Sequence, residues 1–269
     1  MSFNAIIVGM PRSGTSMTAA IFARAGYFIA EDQKGQLRQG DEFNPTGYWE
    51  AEPLIHANAE IFQAAGFPYD NTWLYEPITS HSATRINELE RSSVHKQFVS
   101  DFDQHYPWLW KDPRLCYTLG YWWPLLDRDK TRVLLLKRDP KQIYNSFLRL
   151  KWRSMSARDR KDTLQRVKDH MKAAEFAVQK FEIPHIVVNY SDFANNANET
   201  AQRINEFFGL NLQSQDLGFD RRANNSNLRG KLSIFLDRIA DHMPDKLRKF
   251  IKRLIPARLL NLIFPFKTS

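Results

Sequence analysis

The sequence has almost no cysteine. One thiol, Cys116, stands in 269 residues. It cannot close an internal disulfide, which excludes a disulfide scaffold and a cysteine-rich zinc site and predicts a reducing, cytoplasmic setting. Internal repeats, low-complexity stretches and Gly/Ser linkers long enough to separate domains are also missing. No uninterrupted apolar run approaches the roughly 20 residues that a membrane-spanning helix needs. Ala5 to Val8 is too short for a signal-peptide core, has no basic segment ahead of it, and reads as a first strand. What is there, 43% hydrophobic and 25% charged residues, is the composition of a globular domain long enough to bury a sizeable core.

The formal charge of +8 would suit a polyanionic partner, but it is unevenly placed. From Arg221 to the C-terminus there are 12 Lys and Arg against 3 Asp, whereas residues 1–220 hold 26 basic and 27 acidic residues. The body is therefore near neutral, which argues against nucleic acid as its partner. In the tail, Leu247, Phe250, Ile251, Leu254 and Ile255 recur at helical spacing between Lys246, Arg248, Lys249, Lys252 and Arg253. This predicts a basic amphipathic helix, open to two readings: it packs on the domain, or it lies on the inner face of a membrane. The expected division is a domain over 1–220 and a helical extension over 221–269.

Along the body, short apolar runs alternate with helical periodicity. Ala5 to Val8 precedes a helix through Met17, Ala20, Ile21 and Ala25, stopped by Gly26; a second helix carries Leu54, Ile55, Ile61, Phe62 and Ala65. Further strands are predicted at Trp108 to Trp110, Val133 to Leu136 and Ile186 to Val188, each leading into a helical pattern. The longest helix is expected near 157–181, on a stripe of Leu164, Val167, Met171, Ala174, Val178 and Phe181. Such alternation implies an α/β fold with a parallel sheet.

Gly9-Met-Pro-Arg-Ser-Gly14-Thr15-Ser16 falls where a strand turns into a helix, with the glycine spacing of a phosphate-binding loop. Backbone N–H groups and the helix dipole at such a junction favour an anion. A nucleoside triphosphatase would have Lys after the second glycine; here Thr15 stands there and the cation is Arg12, inside the loop. The run Val133 to Leu136 ends in Lys137-Arg138 rather than in an acidic magnesium ligand, so no metal is demanded. At this second junction Asp139 is a plausible N-cap and Pro140 fits the first helical position. Two anion-receptive junctions suit a nucleotide with phosphates at both the 5′ and 3′ positions.

With these motifs the chain resembles the sulfotransferases that use 3′-phosphoadenosine-5′-phosphosulfate (PAPS), from residue 5 to about 210. Pro11-Arg-Ser-Gly-Thr-Ser16 is similar to their 5′-phosphosulfate loop, and Arg138 with Pro140 and Ser146 to their 3′-phosphate motif. The resemblance implies a P-loop-like three-layer fold with a central parallel sheet flanked by helices. It assigns Arg12, Ser13, Gly14, Thr15 and Ser16 to the 5′-phosphosulfate and Arg138 and Ser146 to the 3′-phosphate. Tyr190, in Val188-Asn-Tyr-Ser-Asp192, resembles the Y-x-D segment whose Tyr can contact adenine. The product would be adenosine 3′,5′-bisphosphate.

Asn44-Pro-Thr-Gly-Tyr-Trp-Glu50 and Trp110-Lys-Asp-Pro-Arg114 are similar to segments of bacterial and carbohydrate-type members, in which a Glu after the first helix serves as base. The K-T-H segment of the cytosolic phenol and steroid enzymes is missing, as is their R-K-G-x-x-G-D-W loop; Arg221 and Arg222 match nothing in that pattern. The catalytic set is then Glu50 as general base, Arg12 stabilising developing charge and Lys111 as a second cation near the sulfate. Glu50 could instead cap or pair on a loop, and Lys111 could pair with Asp112 or another carboxylate. The acceptor would present a hydroxyl or amine on a carbohydrate or lipid-linked glycan, with Tyr48, Trp49, Trp73, Trp122 and Trp123 available to stack on sugar rings. Two other functions compete: a P-loop nucleoside or small-molecule kinase, and a non-enzymatic protein that binds a membrane or nucleic acid through the basic tail.

Overall fold

The computed structural model describes residues 2–41, 44, 47–67, 80–150 and 152–219. The tail, Arg221, Arg222 and Trp73 lie outside the described residues, and so does the expected helical extension. In chain order the elements are β1 (Asn4–Val8), α1 (Thr15–Arg24), α2 (Glu52–Ala64), α3 (Ser80–Glu88), α4 (Ser93–Asp103), β2 (Leu109–Lys111), α5 (Leu115–Trp122), β3 (Thr131–Lys137), α6 (Pro140–Arg149), α7 (Ala157–Lys180), β4 (His185–Asn189), α8 (Asp192–Asn195) and α9 (Ala197–Phe208).

The four strands form one parallel sheet in the order β2-β1-β3-β4. Ile6 lies opposite Trp110 on one side and Val133 on the other; Leu136 lies opposite Val188. Side chains alternate across the strand, so β1 feeds two cores. Ile6 and Val8 join Phe62, Trp110, Leu119 and Val178 beneath α2, α5 and α7. Ala5 and Ile7 join Phe22, Leu134, Ile204 and Phe208 beneath α1 and α9. Burial on both faces is why β1 and β3 read as continuous apolar runs, and it gives the α/β layers expected from the sequence.

The expected elements are present with small shifts. Two helices, α3 and α4, occupy a stretch where the sequence pattern predicts none. In α4 the signal is the spacing of His95, Val99 and Phe102, which are buried, while Val94 is exposed. The buried stripe of α7 uses Thr163, Val167, His170 and Ala174. Two core places thus go to polar residues, and Met171 stays at the margin. Trp122 and Trp123 are both buried in the core, where the Trp110 and Trp122 ring centroids lie 5.2 Å apart. These two cannot stack on a sugar; their indoles fill the core beneath α2 and α5.

Candidate active site

The strands are parallel, so the carboxyl ends of β1, β2 and β3 lie together at one end of the sheet. The β1–α1 loop is held by its own atoms: the Ser13 N–H and hydroxyl both donate to the Met10 carbonyl, at 3.0 and 2.5 Å. The Ser13 side chain therefore braces the loop. Gly14 has φ 100°, and a Cβ there would lie 2.5 Å from the Tyr190 ring. Conformation and space both require glycine. As the residue preceding α1, Gly14 brings no side chain to cap the first turn, so the N–H groups at this helix start are offered towards an anion. Arg12 has φ 69°, an uncommon left-handed conformation for a residue with a side chain.

The strained loop sends Arg12 towards the β3–α6 junction. Its Nε donates to Ser146 Oγ at 3.1 Å, and its carbonyl accepts from Arg138 Nη1 at 2.7 Å. Asp139 caps α6, its carboxylate accepting from the backbone N–H of Lys141 and Gln142. Arg138 Nε donates to Gln142 Oε1, and its guanidinium lies 4.0 Å over the Tyr190 ring. Tyr190 is thus packed between the glycine loop and Arg138, with Phe219 at 5.4 Å, and it borders a cleft of about 340 Å³ lined also by Lys137, Gln142 and Asn189.

Arg149, one turn beyond Ser146 on α6, belongs to the same group, although no motif marks it. Its pKa is pushed down to about 10, first by burial and then by Arg12 and Arg138. Burial also lowers Arg12, where Tyr48, Tyr190 and Asp41 oppose it. Arg138 is likewise lowered by burial and by Arg12, against the pull of Tyr190. The three like charges repel one another, so the arrangement favours a bound polyanion that would relieve that repulsion. The signal that could have found Arg149 is its i+3 spacing from Ser146, which places both on one helix face.

A second group lies on the other flank of the loop. Residues 36–38 and 50–52 pair antiparallel as the two arms of a hairpin, with Leu37 opposite Ala51 and the Arg38 N–H donating to the Glu50 carbonyl at 2.8 Å. Trp49, at φ 57°, kinks the chain just before Glu50. The Glu50 carboxylate is 2% exposed and meets a cation at each oxygen: Lys111 Nζ at Oε1, and Arg38 Nη1 at Oε2, 2.8 Å away. Lys111 also donates to Ser16 Oγ at 3.3 Å and to the Tyr48 carbonyl at 3.2 Å. It thereby ties β2, the start of α1 and the hairpin together. Lys111 does not pair with Asp112, whose carboxylate instead accepts from Arg114 and from Asn58 Nδ2. Arg38 is the second residue that no motif marks; its link to Glu50 is a cross-strand pairing that leaves no local pattern in the sequence.

The predicted residues therefore separate into two adjoining sets. Arg12, Arg138, Ser146 and Tyr190 are joined at the β3 side, and Ser16, Lys111 and Glu50 at the β2 side. His56 is exposed, and His105 stacks on Phe28 at 3.9 Å. Among the described residues no group of three or more His, Cys, Asp or Glu could hold a metal ion.

A family model described as the sulfotransferase family matches residues 5–214, which takes in both sets. The chain belongs to the sulfotransferase family. The match ends before the basic tail, so the sulfotransferase fold and its paired cationic junctions are contained in the body. Among solved structures the sulfotransferase is similar to the sulfotransferase domain from the Synechococcus PCC 7002 olefin synthase, at 14% identity and a TM-score of 0.45, over 85% of this chain and 82% of that one. No curated protein matches the chain.

Proposed function

We propose that this sulfotransferase moves a sulfuryl group from PAPS to an acceptor hydroxyl or amine, with adenosine 3′,5′-bisphosphate as the other product. The observation that carries this reading is the joining of the two cationic junctions, Arg138 to the Arg12 carbonyl and Arg12 to Ser146. A ligand bound there is gripped at two separated anionic groups. The fit of PAPS rests on the donor set: hydrogen-bond donors at a helix start, and three arginines whose mutual repulsion a bisphosphate relieves. The donor supplies the activated sulfuryl group. In this reading Arg138, Ser146 and Arg149 hold the 3′-phosphate, while the Gly14–Ser16 backbone receives the 5′ end. Arg12 spans the two, and it acts through charge because a guanidinium does not give up its proton.

Lys111 stands beside Ser16 and Glu50, where charge builds on the transferring group. Glu50 takes the acceptor proton as the acceptor oxygen–sulfur bond forms and the sulfur–oxygen bond to the bisphosphate breaks. The acceptor is a carbohydrate or lipid-linked glycan, a preference supported by the Glu50-type segment and by half-buried Tyr48 and Trp49 near the base. Calorimetry tests the donor assignment. Adenosine 3′,5′-bisphosphate should bind tighter than adenosine 5′-phosphate, and Arg138→Ala should erase most of the difference. Absence of bisphosphate binding to the unmodified protein would end this reading.

A further inference from the structure

The environment of Glu50 is asymmetric. Lys111 is 3% exposed and spends its three donors on Glu50, Ser16 and the Tyr48 carbonyl. Arg38 is 40% exposed, and its side chain makes one hydrogen bond, to Glu50 Oε2. The other N–H groups of its five-donor fork have no protein acceptor among the described residues. The fork is nevertheless held in place, lying 4.2 Å over the Tyr48 ring, whose hydroxyl donates to Asp41. Its backbone is fixed directly across the hairpin from Glu50. An arginine ordered by an aromatic face, open on its outer side and already matched to one carboxylate, is built to receive a second.

Glu50 as it stands has Oε2 covered. With Glu50 2% exposed and Lys111 3% exposed, an acceptor hydroxyl reaches the carboxylate from the side that Arg38 occupies, and Lys111 is too enclosed to be the cation that makes room. Neutral hydroxyls offer Arg38 nothing in exchange for a carboxylate. An acceptor that carries its own carboxylate does.

We propose that Arg38 recognises a carboxylate on the acceptor, as in a uronic-acid sugar, and in turning to it uncovers Glu50 Oε2 for the neighbouring hydroxyl. The proposal rests on sulfuryl transfer with Glu50 as base. The charge count is conserved on exchange, because Arg38 passes from one carboxylate to another and Glu50 keeps Lys111. Arg38 in this role selects the substrate; the proton moves from the acceptor hydroxyl to Glu50.

The test measures transfer of radiolabelled sulfate from PAPS to two sugars that differ only at C6, p-nitrophenyl β-D-glucuronide and p-nitrophenyl β-D-glucoside. Unmodified protein, Arg38→Gln and Arg38→Lys are compared, and bisphosphate binding is measured on each preparation to show a folded donor site. The expected result is a kcat/KM at least tenfold higher for the glucuronide. Arg38→Gln should bring the ratio near one, with Arg38→Lys restoring some of it. Equal or reversed preference in the unmodified protein, a ratio that survives in Arg38→Gln, or transfer to neither sugar overturns the proposal. Lack of bisphosphate binding by the unmodified protein would instead strike the donor assignment beneath it.

Discussion

Replacing Glu50 by Gln should keep the shape of the buried carboxylate while removing its basicity. Turnover is expected to fall roughly 10²- to 10⁴-fold, the usual worth of general base catalysis, with bisphosphate affinity retained. Single-turnover assays and calorimetry on the same sample check this, and undiminished turnover would remove Glu50 as base. The segment ending at Glu50 has a recognisable pattern, so the residue can be picked out from sequence. That cations hold both its oxygens cannot, because Arg38 and Lys111 reach it from distant positions. Arg149 is invisible to motif reading for another reason: its role follows from helix geometry and from the depth at which α6 packs. Arg149→Gln should weaken adenosine 3′,5′-bisphosphate about ten- to a hundredfold, the worth of one charge-assisted contact, and leave adenosine 5′-phosphate nearly unaffected. Equal losses for both nucleotides would place Arg149 away from the 3′-phosphate. Ser13 is the converse case: its motif position implies a ligand contact, yet its donors are spent on the Met10 carbonyl, so Ser13→Ala should act through loop geometry.

Elements are more legible than residues, and for a physical reason. Buried parallel strands must be apolar throughout and must turn into helices, so β1, β3 and the start of α6 are written in consecutive residues. The amphipathic helices α3 and α4 lack that density; the apolar positions of α4 are few and lie beside exposed Val94. In α7 the pattern misleads at two positions, because Thr163 rather than Leu164 and His170 rather than Met171 are buried there. The His170 Nδ1 lies 2.8 Å from the Arg166 carbonyl and 3.1 Å from the Tyr117 hydroxyl on α5. Burial pushes the His170 pKa down from 6.5 to about 4. The folded state thus prefers neutral His170, and between those two values the unfolded chain binds the extra proton. Stability is fully present above pH 6.5 and is lost as pH falls towards 4, at up to about 1.4 kcal/mol per unit for this one group. Urea unfolding at pH 7, 5.5 and 4.5 should show that decline. His170→Gln should flatten it, leaving the smaller dependence due to His95, which burial also lowers against the pull of Glu60. An unchanged slope in the variant would mean that other groups govern acid unfolding.

At the scale of the whole molecule, charge is sorted rather than balanced. Residues 1–220 are close to neutral, yet Arg12, Arg138, Arg149, Lys111 and Arg38 gather at the carboxyl end of the sheet, so the field at the site is far more positive than the net charge suggests. The surplus lies beyond residue 220, outside both the family match and the described residues. Among the described residues no helix is long and apolar enough to cross a membrane. If the tail forms the basic amphipathic helix its periodicity predicts, it is suited to an anionic bilayer surface, where each Lys or Arg near the headgroups is worth about 1 kcal/mol. Attraction of that kind is screened by salt, whereas insertion of the leucines is not. Full-length protein should therefore sediment with vesicles containing phosphatidylglycerol at low salt, sediment less at high salt, and stay in solution with purely zwitterionic vesicles. Removal of residues 228–269 should abolish sedimentation while preserving bisphosphate affinity, because the two cationic junctions lie wholly in the body. Equal sedimentation of both forms would show that the tail is not the attachment point, and loss of bisphosphate binding on truncation would show that it packs against the donor site instead.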